Sequence, residues 1–137
     1  LKVEVQDEAQ VDSSLIDTAK GKNTTIQVAV KERGFFRLEF TCRASAGATD
    51  LAQLPVSVFQ DKQLVETVTL AGSEKEWQTK TVRFPVPLFH YTFFIRLFFG
   101  MSGMEIKDVK VVMEESLEEQ IRQRMKEHRE NQDASDS

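Results

Sequence analysis

Cysteine is nearly absent. The single Cys42 excludes an internal disulfide and any zinc site built from several cysteines, while leaving the compartment open, because many exported modules carry no disulfide. Histidine is almost as scarce, and neither His90, in a turn between strands, nor His128, near the end of an exposed helix, is placed as a base beside a nucleophile. No Gly-rich phosphate loop or His metal cluster occurs. Long hydrophobic runs are missing too: the longest apolar cluster, Tyr91 to Phe99, is broken by Thr92 and Arg96, so no membrane span is expected. There is no excess of basic charge. The 22 acidic and 18 basic residues are scattered and sum to −4, which offers a nucleic-acid backbone no surface to bind. Leu1 is followed by neither a basic nor an apolar leader region, so the chain reads as the start of a processed protein or, preferably, as a piece of a larger one.

What is present is a period of two. At 137 residues, 40% apolar and 29% charged, the chain suits one domain with a core of its own. Val3 and Val5 alternate with Lys2 and Glu4; Ile26, Val28 and Val30 alternate with Thr25, Gln27 and Ala29. From Phe36 to Cys42 the residues Phe36, Leu38, Phe40 and Cys42 share one face, with Arg37, Glu39, Thr41 and Arg43 on the other, the pattern of a half-buried antiparallel strand. Further strands are expected at Leu54–Gln60 and Leu64–Leu70, joined at Asp61-Lys62, then at Trp77–Val86, Tyr91–Phe99 and Met104–Val112. Gly100-Met101-Ser102-Gly103 joins the last two. Pro55, Pro85 and Pro87 are expected at strand starts or ends, where a missing N–H does least damage, and on edge strands. The polar stretches Asp7–Asn23 and Ala44–Gln53 read as loops, either of which could border a groove. The fold class expected is therefore all-β, an antiparallel β-sandwich or jelly roll of about eight strands over residues 1–115.

At Ser116 the period changes. Ser116-Leu117-Glu118-Glu119 has the form of a capping box, Leu117, Ile121 and Met125 recur every four residues, and Glu118 precedes Arg122 by four. These predict a short helix over 117–129, with an apolar stripe one residue wide, followed by a disordered end from Glu130; residues 116–137 thus read as a helical linker and tail.

Candidate chemistry is thin. Cys42 lies on the apolar face of its strand, where it acts as a small buried hydrophobe, and the pairs Glu74 with Glu76 and Glu114 with Glu115 sit in solvent-facing segments without an aromatic subsite. Asn23-Thr24-Thr25 is a glycosylation sequon that matters only in a eukaryotic secretory setting. What remains is surface binding. In Tyr91–Phe99 one face carries Phe93, Ile95, Leu97 and Phe99 and the other Phe94, Arg96 and Phe98. If that second face is exposed, two rings flank a guanidinium, an arrangement suited to a pyranose ring and its hydroxyls. The alternative is a strand buried on both faces, under the helical tail. Trp77 is open to two readings as well, a sugar platform or a partly buried core anchor.

Three stretches carry a resemblance: Gly34-Phe35-Phe36-Arg37-Leu38-Glu39-Phe40-Thr41-Cys42-Arg43-Ala44, then Glu76-Trp77 with Val82-Arg83-Phe84, and Ile95 to Gly100 followed by Glu105-Ile106-Lys107-Asp108-Val109. In this order they resemble carbohydrate-binding modules of the family 4, 9 and 22 group, and Leu117 to Arg129 looks like the segment leading such modules into a family 10 xylanase barrel. The resemblance implies a secreted, extracellular, non-catalytic module of a larger protein. Its partners would be a plant cell-wall polysaccharide, xylan or a mixed β-glucan, and an attached glycoside hydrolase. The implied carbohydrate-binding residues are Arg37, Glu39, Arg43, Tyr91, Phe94, Arg96 and Phe98. The family often holds a structural calcium near its first strand and the acidic pair of its last; here Lys107 replaces the first of that pair and only Asp108 is kept, so no cofactor is expected. The other reading is a structural β-sandwich that packs on a neighbouring catalytic domain and binds no glycan.

Overall fold

The computed structural model describes residues 1–136, and the side chains of residues 1–131. Nine strands form two sheets. β1 (Lys2–Val5), β3 (Lys22–Val30), β8 (Tyr91–Phe99), β5 (Gln53–Gln60) and β6 (Gln63–Ala71) make a five-stranded sheet in that order. β2 (Glu8–Val11), β9 (Met104–Ser116), β4 (Gly34–Ala44) and β7 (Gln78–Val86) make a four-stranded one. Every pairing is antiparallel except β1 with β3. The fold class is thus the expected β-sandwich, followed by one helix, α1 (Leu117–Asp136).

The alternation places the core. Ile26 and Val28, Phe36 to Cys42 on one phase, Val82 and Phe84, and Phe93 to Phe99 on one phase all point between the sheets and are buried. At about 25 cal/mol per Å², such burial is the main term opposing chain entropy.

Several local expectations are corrected. Asp7–Asn23 is not all loop: it contains β2, a 3-10 turn at Ser13–Leu15 and the start of β3, with Val11 and Ile16 buried in the core. Four residues are too few to show a period, and the partner of β2 is β9, a hundred positions away in order of magnitude. Pro55 belongs to an inner strand, at its start, before the pairing with β8 begins at Val56 and Phe99. Pro85 does lie on an edge strand, β7. Asp108, at a bulge in β9 opposite β4, takes φ 51, a left-handed conformation that Asp tolerates.

The helix also differs in detail. The Ser116 hydroxyl accepts the Glu119 N–H at 3.1 Å, but Glu119 pairs with Arg122 at 3.2 Å instead of completing a capping box. Glu118 bonds Arg33 at 2.6 Å, not Arg122, and this guanidinium holds the Glu118 carboxyl below its ordinary pKa. No proline or glycine follows Glu130, and the helix runs on to Asp136, past its expected end; Ser137 lies outside the described residues. Ser116→Ala removes the cap and is expected to cost about 1 kcal/mol, read as a lower helical signal at 222 nm near the unfolding transition.

Candidate functional site

The seven candidate residues divide between the two outer faces of the sandwich. Arg37, Glu39 and Arg43 project from β4 on the four-stranded sheet; Phe94, Arg96 and Phe98 project from β8 on the five-stranded sheet. The two groups stand back to back across the core and cannot contact one ligand together.

On the four-stranded face the charges satisfy one another. Arg37 bonds Glu39 at 3.2 Å and lies 3.8 Å from Glu114, which also receives Arg83 Nε at 2.7 Å. Lys110 stands 3.6 Å from Glu8 and 3.7 Å from Glu39, and Arg43 bonds Glu105 at 2.7 Å. Surface pairs of this kind, half-buried for Arg37, Glu39 and Glu114, add little stability, about 0–1 kcal/mol each, but they occupy the groups that would otherwise hold a sugar hydroxyl. Trp77 is neither a core anchor nor a free platform. It precedes β7 on this outer face, with the Arg43 guanidinium and the Lys107 ammonium each 4.2 Å from its ring centre, so a sugar would have to displace a cation to stack there. The acidic Glu114, expected in solvent, is thus the hub of two arginine contacts.

The five-stranded face is different. Phe94 is 44% exposed, and Arg96 and Phe98 are half-buried beside it. The reading in which this strand is covered on both faces is overturned, because α1 packs at its root on β9 and β4 of the other sheet. Across the strands, Arg96 is paired with Thr25 on β3 and Phe59 on β5, and its guanidinium lies 4.2 Å from the Phe59 ring centre. The turn after β5 closes the site: Asp61, at φ 54, accepts the Phe94 N–H on Oδ1 at 3.0 Å and donates its own N–H to the Phe94 carbonyl at 2.7 Å. Thr25, Asp61, Lys62, Phe94 and Arg96 line a recess of about 450 Å³, within the range of small-ligand sites. Tyr91 faces inward, stacked on Phe93 with ring centres 6.2 Å apart, and borders a second recess that shares Asp61 and Lys62 with the first.

Sequence reasoning missed Phe59, Asp61, Lys62 and Thr25. For Phe59 a signal existed: Leu54, Val56 and Val58 point inward, so the next ring in that run falls on the outer face, opposite Arg96. For the turn residues there was none, since their place beside β8 depends on pairing distant in sequence.

The other titratable groups serve structure. Burial pushes the Cys42 thiol up, away from nucleophilic behaviour. Glu74, exposed as its solvent-facing segment predicts, accepts the Ala71 N–H at 2.7 Å, and that bond holds its carboxyl low. His90 sits at φ 49 in the turn before β8. Asp108 is exposed and its neighbour Lys107 is turned onto Trp77; among the described residues no group of three or more His, Cys, Asp or Glu is placed to hold a metal ion.

No protein-family model matches the chain. A β-glucosidase of Ruminococcus albus is 33% identical over 100 residues, which cover 72% of this chain and 10% of that enzyme. Among solved structures, a β-glucosidase from Paenibacillus barengoltzii superposes on 81% of this chain and 11% of its own with a TM-score of 0.57 and 20% identity. A family 35 carbohydrate-binding module from an environmental isolate does so on 77% of this chain and 73% of its own, with a TM-score of 0.53 and 14% identity. The chain spans about a tenth of the length of the β-glucosidases it matches. The module it is similar to is of family 35, whereas the sequence resemblance pointed to the family 4, 9 and 22 group. What these likenesses to solved structures show is the fold, a β-sandwich.

Proposed function

We propose that residues 1–115 are a non-catalytic glycan-binding module whose site is the outer face of the five-stranded sheet, and that residues 116–137 link it to a glycoside hydrolase of the same extracellular protein. Its ligand is a plant cell-wall polysaccharide, xylan or a mixed β-glucan. The observation that carries this reading is Phe94, exposed beside Arg96 on an open sheet face, with Phe98 on the other side of the guanidinium. A flat apolar ring covers the C–H face of a pyranose while a guanidinium donates to its hydroxyls, and no proton need be moved. Tethering would raise the local concentration of an attached enzyme at its substrate without altering its chemistry. Of the residues first singled out, Phe94, Arg96 and Phe98 belong to this proposed site, Tyr91 borders not it but the adjoining recess that shares Asp61 and Lys62, and Arg37, Glu39 and Arg43 belong to the opposite, self-paired face.

Affinity electrophoresis through soluble xylan and mixed β-glucan tests the proposal. Retardation is expected on at least one polymer, and Phe94→Ala is expected to weaken it about tenfold, the equivalent of 1.4 kcal/mol. Unaltered mobility on every polymer overturns the reading.

A second reading rests on a separate feature. Phe35, Leu88 and Phe89 are 42%, 58% and 48% exposed near the strand-to-helix junction, where Arg33 lies over Phe89 and bonds Glu118. Such a patch suits contact with a neighbouring domain. It gains support if no polymer retards the chain and Phe89→Asp lowers the melting temperature of the full-length protein but not that of the isolated chain.

A further inference from the structure

We propose that Asp61 is a positioning residue of this site: its backbone and side chain hold Phe94 in the orientation from which the ring covers a sugar. This rests on the glycan reading above and adds to it a residue that acts through Phe94 and not on the ligand.

The first observation is where the ladder stops. β5 pairs with β8 from Val56 opposite Phe99 to Gln60 opposite Ile95, and β5 ends at Gln60. Phe94 stands just past that last rung, and Asp61 does there what a strand would do. Its N–H donates to the Phe94 carbonyl at 2.7 Å, and its Oδ1 accepts the Phe94 N–H at 3.0 Å, so the carboxylate stands in for a backbone carbonyl. Both main-chain polar groups of the residue whose ring is 44% exposed are thus held by one turn residue.

The second is the residue type. Gln60 pairs with Gln63, so Asp61 and Lys62 are the two residues of a tight hairpin turn, and Asp61 takes φ 54. At a left-handed first position of such a turn glycine is the least strained choice. The turn alone therefore calls for no side chain, and the hydrogen bond that this side chain makes leaves the hairpin for Phe94.

The third is a second anchor. Gln60 Nε2 donates to the Pro85 carbonyl at 3.0 Å, and the pairing of β5 with β6 runs up to the turn. Loss of the Asp61 carboxylate then loosens Phe94 without releasing the hairpin. A loosened ring has to be immobilised when a ligand stacks on it, and that ordering lowers affinity.

The test is affinity electrophoresis on soluble xylan and mixed β-glucan, with urea unfolding of the same proteins. Asp61→Gly keeps the left-handed backbone and removes the acceptor; it is expected to weaken retardation about fivefold, less than Phe94→Ala does, and to leave the urea midpoint in place. Asp61→Asn, which keeps an oxygen acceptor of the same reach, is expected to recover most of that loss. In a Phe94→Ala background Asp61→Gly is expected to cause no further loss, because the ring it positions is gone. Deuterium exchange of the Phe94 amide, followed by NMR with no glycan present, is expected to quicken in Asp61→Gly and not in Asp61→Asn. Retardation of Asp61→Gly equal to that of the unaltered chain, or a Phe94 amide that exchanges no faster, overturns the proposal and leaves the glycan reading intact. A loss in Asp61→Asn as large as in Asp61→Gly, or an equal further loss in the Phe94→Ala background, overturns it in favour of direct contact between the carboxylate and the ligand. A urea midpoint that falls in step with affinity, or an Asp61→Gly chain that does not fold, overturns it in favour of a purely structural role. No retardation of the unaltered chain by either polymer removes the glycan reading and the role of Asp61 with it.

Discussion

Phe93→Ala should lower the unfolding free energy by about 3–5 kcal/mol, among the largest losses expected from one side chain in this molecule. The ring is 0% exposed and spans the core from β8. It meets Phe84 of the opposite sheet edge-to-face, with ring centres 5.3 Å apart and planes at 68°, and stacks on Tyr91 of its own strand. Truncation loses the transfer of the ring from water and leaves a cavity between two sheets whose strands are held by backbone ladders and cannot close on it. For a domain whose total stability is about 5–15 kcal/mol, that is a large fraction. Phe94 is the control, because it is the next residue on the same strand and points outward. Phe94→Ala should cost under about 1 kcal/mol while weakening glycan retention. Urea unfolding of the two variants checks both values; similar losses from the two would contradict the assignment of faces on which the proposed site depends.

The second large effect is expected at a glycine. Gly34 opens β4 at φ 151 and pairs with Ser116 at the end of β9. A Cβ there would lie 2.2 Å from the Glu115 carbonyl oxygen and 3.0 Å from the Ser116 Cα, both backbone atoms of a paired strand that cannot swing away as a side chain would. Gly34→Ala therefore combines overpacking with an unfavourable backbone conformation, and a loss on the order of 2–3 kcal/mol follows. The damage should spread to the start of the helix, because the Leu117 N–H donates to the Arg33 carbonyl at 2.9 Å, one residue before the glycine. Gly47→Ala, with ordinary φ and no atom within 4 Å of the added carbon, should stay within about 0.5 kcal/mol of the parent. Thermal unfolding followed at 222 nm separates them. A Gly34→Ala protein as stable as the Gly47→Ala one would show that the strand-to-helix junction is not held by this contact.

Much of this was legible beforehand where the period was long enough to be seen. β4, β8 and β9 each run for nine residues or more, and the alternation along the first two separated Phe36 from Arg37 and Phe93 from Arg96 onto opposite faces, leaving open whether the Arg96 face is exposed. β2 escaped because its four residues carry two apolar positions, Ala9 and Val11, which fit a loop equally well. Trp77 was misjudged for another reason. A large aromatic is usually well buried, and only the approach of Arg43 and Lys107 from adjacent strands gives this one a polar setting outside the core.

The candidate site was read in part for a reason that is general to sandwiches. A period of two says whether a side chain points in or out, but not which sheet it points out from. That depends on which strands pair, and the partners are remote: Thr25 meets Arg96, Phe59 meets Arg96, and Arg43 meets Glu105. By itself the sequence determined the β-sandwich, the two faces of its long strands, with Phe94 and Arg96 sharing one, and the onset of a helix at Ser116, because these follow from local alternation and capping chemistry; that the Phe94 face is open was left to the structure. Only the tertiary structure decided that Arg37, Glu39 and Arg43 stand on one face among acidic partners while Phe94, Arg96 and Phe98 stand on the other with Phe59 and the Asp61-Lys62 turn. Strand order joins residues far apart along the chain, and no local pattern carries that information.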